Sequence, residues 1–136
     1  MSEQIERVVN NGFVMAIICK PGLINEKLSF VTPEDYPLQL GVNNRVSGEI
    51  VKAHRHKPFF NLNNLVCQEM YYVLQGSMAI DLFDDSNKLF RTVFIKSGDV
   101  IVLNCGHGIK FSENCKFFEI KQGPYRGRDL EKEMIG

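Results

Sequence analysis

Residues 52–60, KAHRHKPFF, hold two of the chain's three histidines, His54 and His56, with one arginine between them. In an extended chain, residues two apart share a face. At ~3.3 Å rise per residue their Cα atoms lie about 6.6 Å apart with both imidazoles aimed the same way. Two such rings can converge on one small object, a metal ion or a substrate. Alone, H-x-H is a weak pattern that two histidines on a polar edge satisfy equally well. Glu69 enlarges it. In CQEMYYVLQG (67–76), period-two alternation puts Glu69 on one face with Tyr71 and Val73. A carboxylate on a mostly apolar strand is exposed, paired or bound to a metal, and Arg55 or Lys57 is the ion-pair alternative. His107, the remaining histidine, stands between glycines in NCGHG (104–108), which reads as a corner able to turn the ring inward. Three histidines and one carboxylate suit Fe(II), Mn(II), Ni(II), Co(II) or Zn(II) and leave open positions on an octahedral ion.

The elements that must position these residues read as strands and tight turns. VSGEIVKAHRH (46–56) is extended, and CQEMYYVLQG runs into a turn at Gly76. SMAIDLFDDSNKLFRTVFI (77–95) is a hairpin: Met78, Ile80 and Leu82 alternate, and DDSN (84–87) supplies turn chemistry. KSGD (96–99) is another turn, VIVL (100–103) a short buried strand, and CKFFEIKQG (115–123) a last strand. Such spacing from 46 to 123 predicts an all-β sandwich or barrel. MAIICK (15–20) and TPEDYPLQLGV (32–42) read as further strands, KPFFNLNNLV (57–66) as an irregular loop, and YRGRDLEKEM (125–134) as a solvated C-terminal tail. With ten phenylalanines and no tryptophan, the expected core is phenylalanine- and aliphatic-packed.

At 136 residues the chain reads as one domain. Lys+Arg and Asp+Glu number 16 each, so net charge points to no nucleic-acid partner. The apolar stretch Gly12–Cys19 is only eight residues long and follows acidic and amide residues, unlike a signal peptide, and no run approaches the ~20 residues of a membrane helix. The expectation is a cytoplasmic protein. Cys19, Cys67, Cys105 and Cys115 form no C-x-x-C and read as free thiols packed as small hydrophobes, Cys67 sharing the Glu69 face.

The spacing Gly48, His54, His56, Glu69, Gly76, then Gly98, Gly106 and His107, resembles the two-part signature of the cupins, small double-stranded β-helix (jelly-roll) barrels. The departures are twelve residues between His56 and Glu69, where the family has three or four, and a histidine directly after Gly106 rather than at the position of Ile109. HRHKP, QEMYYVLQGSMAIDLFDD, GDVIVLNCGHGIKF and EIKQGPYRGRD extend the resemblance, over about 37–128, to small bacterial cupins associated with genes for surface-polysaccharide and nucleotide-sugar synthesis. The resemblance implies one cupin domain over 1–136, with a metal-site barrel core at about 37–123 and a tail at 124–136. It also implies one divalent transition metal held by His54, His56, Glu69 and His107.

The implied ligand is a small sugar-like molecule, with Tyr71, Lys110 and Lys121 as candidates to orient it. The implied assembly is a homodimer, with segment 13–42 contributing an exchanged or added strand. Three functions follow. A metal-dependent enzyme would be an isomerase or epimerase on a sugar rather than an Fe(II) dioxygenase. A metal-free nucleotide-sugar ketoisomerase would use His54 and His56 as catalytic acid and base and a basic cluster drawn from Arg45, Lys52, Arg55 and Lys57. A sugar-binding or regulatory cupin would catalyse nothing.

Overall fold

In a computed structural model of the chain, which describes residues 4–63 and 65–136, the alternating segments are strands. Twelve are numbered here in chain order: β1 (Ile5–Asn10), β2 (Phe13–Cys19), β3 (Leu28–Phe30), β4 (Leu38–Arg45), β5 (Ile50–His56), β6 (Glu69–Gln75), β7 (Ser77–Phe83), β8 (Leu89–Lys96), β9 (Val100–Leu103), β10 (Gly106–Lys110), β11 (Cys115–Gln122) and β12 (Lys132–Met134). One helical turn, α1 (Arg128–Glu131), precedes β12.

β1 and β2 form a separate two-stranded ribbon. The other strands build two antiparallel five-stranded sheets, ordered β12-β5-β10-β7-β8 and β3-β4-β11-β6-β9. In each sheet, strands distant in sequence lie side by side, as β5 does with β10 and β4 with β11. No helix among the described residues is long and apolar enough to cross a membrane.

The core forms where the inward faces of the sheets meet. Tyr71 and Val73 of β6, Met78 and Ile80 of β7, Leu103, Ile109, Phe111, Cys115 and Phe117 make one buried cluster. Burying a side chain such as Phe117 contributes roughly 2–3 kcal/mol by transfer from water. The core is packed by aliphatic and aromatic side chains together: Phe111 and Phe117 stack within it beside Tyr71, whereas Phe90 and Phe94 on β8 and Phe13 on β2 face outward. VIVL is a strand but only half buried, since Val100 and Val102 are exposed on the outer face of β9.

The β7–β8 turn forms as its sequence predicts. Asp84 Oδ1 accepts the N–H groups of Ser86 and Lys88 at 2.9 and 3.0 Å. Asn87 adopts φ +60°, a conformation that asparagine tolerates.

Three segments differ from the sequence reading. NCGHG is not a corner: Gly106–Lys110 is strand β10, paired on both sides, with His107 opposite His54 of β5 and Leu82 of β7. Close packing against backbone accounts for Gly108, while at Gly106 the neighbours are the far ends of flexible side chains. A Cβ on Gly108 would meet the Ala53 backbone N and Cα at 3.1 Å, and one on Gly106 would meet the Ile135 Cδ1 at 2.5 Å. The 125–134 segment is not a solvated tail. It crosses β5 as strand β12, with Lys132 opposite His56 and Met134 opposite His54, and it buries Glu131. A third strand, unread at 5–10, pairs with Phe13–Cys19 through Asn11 (φ +50°) and Gly12 (φ +77°), so the expected strand at 15–20 is half of a hairpin.

Candidate metal centre

β5 brings His54 and His56 to the inward face, but not by simple alternation from Lys52. Pairing with β10 shifts register between His107 opposite His54 and Ile109 opposite Val51, which marks a bulge at Lys52–Ala53. Val51 and His54 therefore both face the core, while Lys52 is exposed. β6 contributes Glu69, 3% exposed, and β10 contributes His107, 1% exposed. The ligand-capable atoms of His54, His56, Glu69 and His107 all lie within 4.8 Å of one another. The three imidazole centroids are 4.7 to 5.8 Å apart.

The orientation of two rings is fixed from behind. His54 Nδ1 lies 2.7 Å from the Lys52 carbonyl, and His107 Nδ1 lies 2.9 Å from the Cys105 carbonyl. A carbonyl accepts only, so each Nδ1 carries a proton, and in the neutral ring each Nε2 then holds its lone pair toward the centre. His56 has no such carbonyl. Its Nδ1 is buried without a hydrogen-bond partner, and the nearest carboxylate oxygen is Glu131 Oε1 at 3.9 Å.

At the centre, His56 Nε2 and His107 Nε2 lie 2.5 and 3.1 Å from Glu69 Oε1. Neither contact has hydrogen-bond geometry, so these three buried atoms remain unsatisfied. Buried polar atoms without partners are rare and costly. Here they aim at one another, as the atoms of a cation's coordination shell do.

Burial alone would raise the Glu69 carboxyl, but the close approach and charge of His107 and His56 overturn that and hold it well below the usual carboxylate range. Burial lowers His107, and the Glu69 carboxylate outweighs it, so the net shift is upward. Burial takes His54 down to about 4, opposed by the Lys52 carbonyl and reinforced by the other two rings. An ionised Glu69 and a neutral His54 are in the protonation states that metal ligation needs, while His107 must give up any Nε2 proton to bind.

Beside the cluster is a cavity of about 300 Å³, lined by His54, His56, Glu69 and Tyr71 together with Asn43, Arg45, Glu119, Lys121 and Glu131. Of the three residues expected to orient a ligand, two line it. Lys121 is 9% exposed and its Nζ lies 3.3 Å from Glu131 Oε1. Tyr71 is buried against His107 and Phe117. Burial, then the charges of Glu69 and Glu119, hold its phenol well above the ordinary range. Lys110 is not brought to the cavity. It sits one residue past Ile109, facing outward in the period-two pattern, and is exposed beside Asp81.

The basic cluster does not assemble either. Arg45 reaches the cavity and Lys52 is exposed. Arg55 donates to the Asp84 carbonyl and Asn87, and Lys57 Nζ donates to the Asp129 carbonyl.

Sequence reading missed Asn43, Glu119 and Glu131. Asn43 and Glu119 are inward positions of β4 and β11, on faces shared with Gln39, Gly41 and Arg45 and with Phe117 and Lys121, so alternation alone does not single them out. Burial, then the Glu69 charge, raises Glu119 to about 7. Cys67 is buried within reach of His56 and Glu131, and burial, with the charge of Glu131, pushes its thiol up to about 11.

Comparison with known proteins agrees with this architecture. A protein with a double-stranded β-helix domain from Klebsiella pneumoniae subsp. pneumoniae aligns at TM-score 0.58 and 17% identity, over 79% of this chain and 82% of that one. A cupin-2 domain containing protein from Shewanella frigidimarina aligns at TM-score 0.55 and 16% identity, over 75% and 87%. A variant of Bacillus subtilis oxalate decarboxylase, a protein described with Mn(II) centres, aligns at TM-score 0.59 and 19% identity, over 79% of this chain but only 27% of its own. No sequence-family profile matches the chain, and no curated protein matches it by sequence. The chain has the double-stranded β-helix (jelly-roll) fold of the cupins.

Proposed function

We propose that this protein is a metal-binding cupin whose His54, His56, Glu69 and His107 hold one divalent transition-metal ion, with a small sugar-like ligand bound in the adjoining cavity. The carrying observation is the set of three buried, unpartnered atoms, His56 Nε2, Glu69 Oε1 and His107 Nε2, that converge on one point. Three imidazoles and a carboxylate fit Fe, Mn, Ni, Co or Zn. When bound, such an ion polarises a carbonyl or hydroxyl oxygen, or lowers the pKa of a bound water. The chain's own residues orient two of the rings, hold His54 neutral by burial, and line the cavity with amide, carboxyl, ammonium, aromatic and aliphatic groups. Amide, carboxyl and ammonium groups set beside apolar and aromatic faces support a sugar-like ligand. The resemblance over 37–128 is what supports a place in surface-polysaccharide metabolism, with isomerisation or epimerisation as the enzymatic form. The metal-free ketoisomerase reading is less well supported, because Lys52, Arg55 and Lys57 are directed away from the cavity.

The test is elemental analysis of gently purified protein beside His56→Ala. About one metal ion per chain, absent from the variant, supports the proposal. No ion retained after supplying Fe(II), Mn(II), Ni(II) and Zn(II) overturns it. Glu131 gives a second, graded test. With a metal on Nε2, His56 Nδ1 carries a proton, and Glu131 is the carboxylate nearest to accept it. Glu131→Ala is expected to weaken metal binding about 10- to 100-fold, the usual effect of losing a carboxylate behind a ligating histidine. Unchanged affinity in a competition titration would remove Glu131 from the site.

A homodimer is part of the same proposal. A two-stranded ribbon is marginal on its own in water, and β1–β2 leaves Val8, Val9, Phe13, Met15 and Ile18 exposed. Light scattering is expected to give twice the chain mass, and Phe13→Ser with Met15→Ser to shift it toward monomer. A monomeric parent protein overturns this.

A further inference from the structure

We infer that the cavity wall facing the His/Glu cluster is a hydroxyl-recognition subsite, in which Asn43 and Glu119 together bind one alcohol group, so that the ligand is a neutral polyhydroxy compound at that end rather than a carboxylate or phosphate. The inference rests on the proposed function for the cavity's role, and adds what part of a ligand this wall accepts.

Asn43 is 1% exposed. Its Oδ1 accepts two hydrogen bonds from one guanidinium, Arg45 Nε at 3.2 Å and Nη2 at 3.0 Å. A guanidinium only donates, so these bonds fix which end of the amide is oxygen and which is nitrogen. The Nδ2 donor is left buried with no acceptor, in a residue that lines the cavity. A buried amide donor kept without a partner is costly unless a ligand supplies the acceptor.

Glu119 supplies the complementary group. On β11, Phe117 lies opposite Asn43 and Glu119 opposite Gly41, so Asn43 and Glu119 are diagonal inward neighbours on adjacent strands. Both line the same cavity. Among the described residues, no side chain forms an ion pair or hydrogen bond with the Glu119 carboxyl, while the cations beside it are committed: Arg45 to Asn43 and Glu49, Lys121 to Glu131. An anionic ligand group against Glu119 would meet a carboxyl; the one lining cation without an ion pair among the described residues, Lys132, stands on β12 opposite His56 and bears on His54, not on Glu119. An alcohol satisfies both residues at once, accepting from Asn43 Nδ2 and donating to Glu119. A cavity of about 300 Å³ lies at the small end of ligand sites and suits one monosaccharide unit.

The experiment uses the full chain loaded with Zn(II), titrated with D-glucose, xylitol, D-gluconate and inorganic phosphate while the Asn43 side-chain amide is followed by NMR. Glucose and xylitol are expected to shift that resonance in a saturable way. Asn43→Leu and Glu119→Leu are expected to weaken polyol binding about tenfold or more, as loss of a ligand hydrogen bond does. Glu119→Gln, which keeps an acceptor, should recover much of it. Metal content should be unchanged in all three variants. The inference is overturned if the amide responds to gluconate's or phosphate's charged group and not to polyols, if no polyol shifts it, or if polyols bind all variants equally. Should the protein retain no metal, the metal reading fails, while the same titration of metal-free chain still decides this one.

Discussion

His56→Ala and Glu69→Ala are expected to cost the protein nearly all its bound metal while the barrel stays folded. Removing a carboxylate behind a ligating histidine weakens affinity about 10- to 100-fold, so removing a ligand itself should exceed about 100-fold. Glu69 is the most exposing test, because its Oε1 is the atom against which both His56 Nε2 and His107 Nε2 rest. Without it the two imidazoles lose the carboxylate oxygen they share. In metal-free protein the substitution also removes the charge that holds His107 above its ordinary value, so the His107 resonances should titrate at lower pH in the Glu69→Ala protein than in its parent. Elemental analysis measures the first effect and histidine NMR the second. Near-stoichiometric metal in both variants, with unchanged circular dichroism, would mean that the four residues are a packed polar cluster and not a metal centre. Acid should release the ion from the parent protein as well, since a protonated imidazole has no lone pair to offer.

Much of this centre was legible because strands make side-chain direction a matter of parity. His54 and His56 share a face by their spacing alone, Glu69 shares one with Tyr71, and the Met78–Leu82 alternation with its DDSN turn gave the hairpin that β10 pairs against. Parity failed where pairing is irregular. The bulge at Lys52–Ala53 sends Lys52 out and Val51 in, and a bulge shows only in the partner strand's register. GHG forms a strand and not a corner, because what its glycines contribute is not conformational freedom. Gly108 serves by its small size, needed so that β10 can lie against Ala53 of β5. Of the ribbon at 5–19 the sequence reading holds only the second strand, although an Asn-Gly pair between the two segments is the strongest short-range hairpin signal.

Glu131 could not be found from the sequence. A mixed-charge run has the composition of a solvated tail, and only the pairing of Lys132–Met134 with β5 carries Glu131 to the cavity, where Lys121 and Arg126 neutralise it. Asn43 and Glu119 fell between these cases: their positions follow parity, but a buried amide left without an acceptor becomes visible only when every other partner has been placed.

The second large effect is expected far from any ligand, at Gly76. Glu69 opens β6 and Gly76 makes the turn into β7, so the strand that carries the carboxylate ends one residue before this glycine. Its φ is +82°, where an L side chain costs ~1–2 kcal/mol by contact with its own backbone. A Cβ would also stand 2.1 Å from the Asn114 carbonyl oxygen and 3.0 Å from the Cys115 Cα, both backbone atoms of the neighbouring turn. That clash cannot be relieved by rotating a side chain. Either the β6–β7 turn or the 112–114 turn must move, and Cys115, Phe117 and Val73 of the core are attached to them.

Gly98 is the natural control: its φ is +91°, and a Cβ there would meet nothing within 4 Å. Gly98→Ala therefore isolates the backbone term and should cost ~1–2 kcal/mol, while Gly76→Ala adds the collision and should exceed ~3 kcal/mol, in the range reserved for overpacking and backbone strain together. Urea unfolding of the three metal-free proteins gives both numbers from the midpoints at constant m. Equal losses at the two glycines would mean that the close approach of the 112–114 turn to Gly76 does not exist in solution. A larger loss at Gly76, with weakened metal binding in the same variant, would tie the turn to the placement of Glu69 seven residues before it.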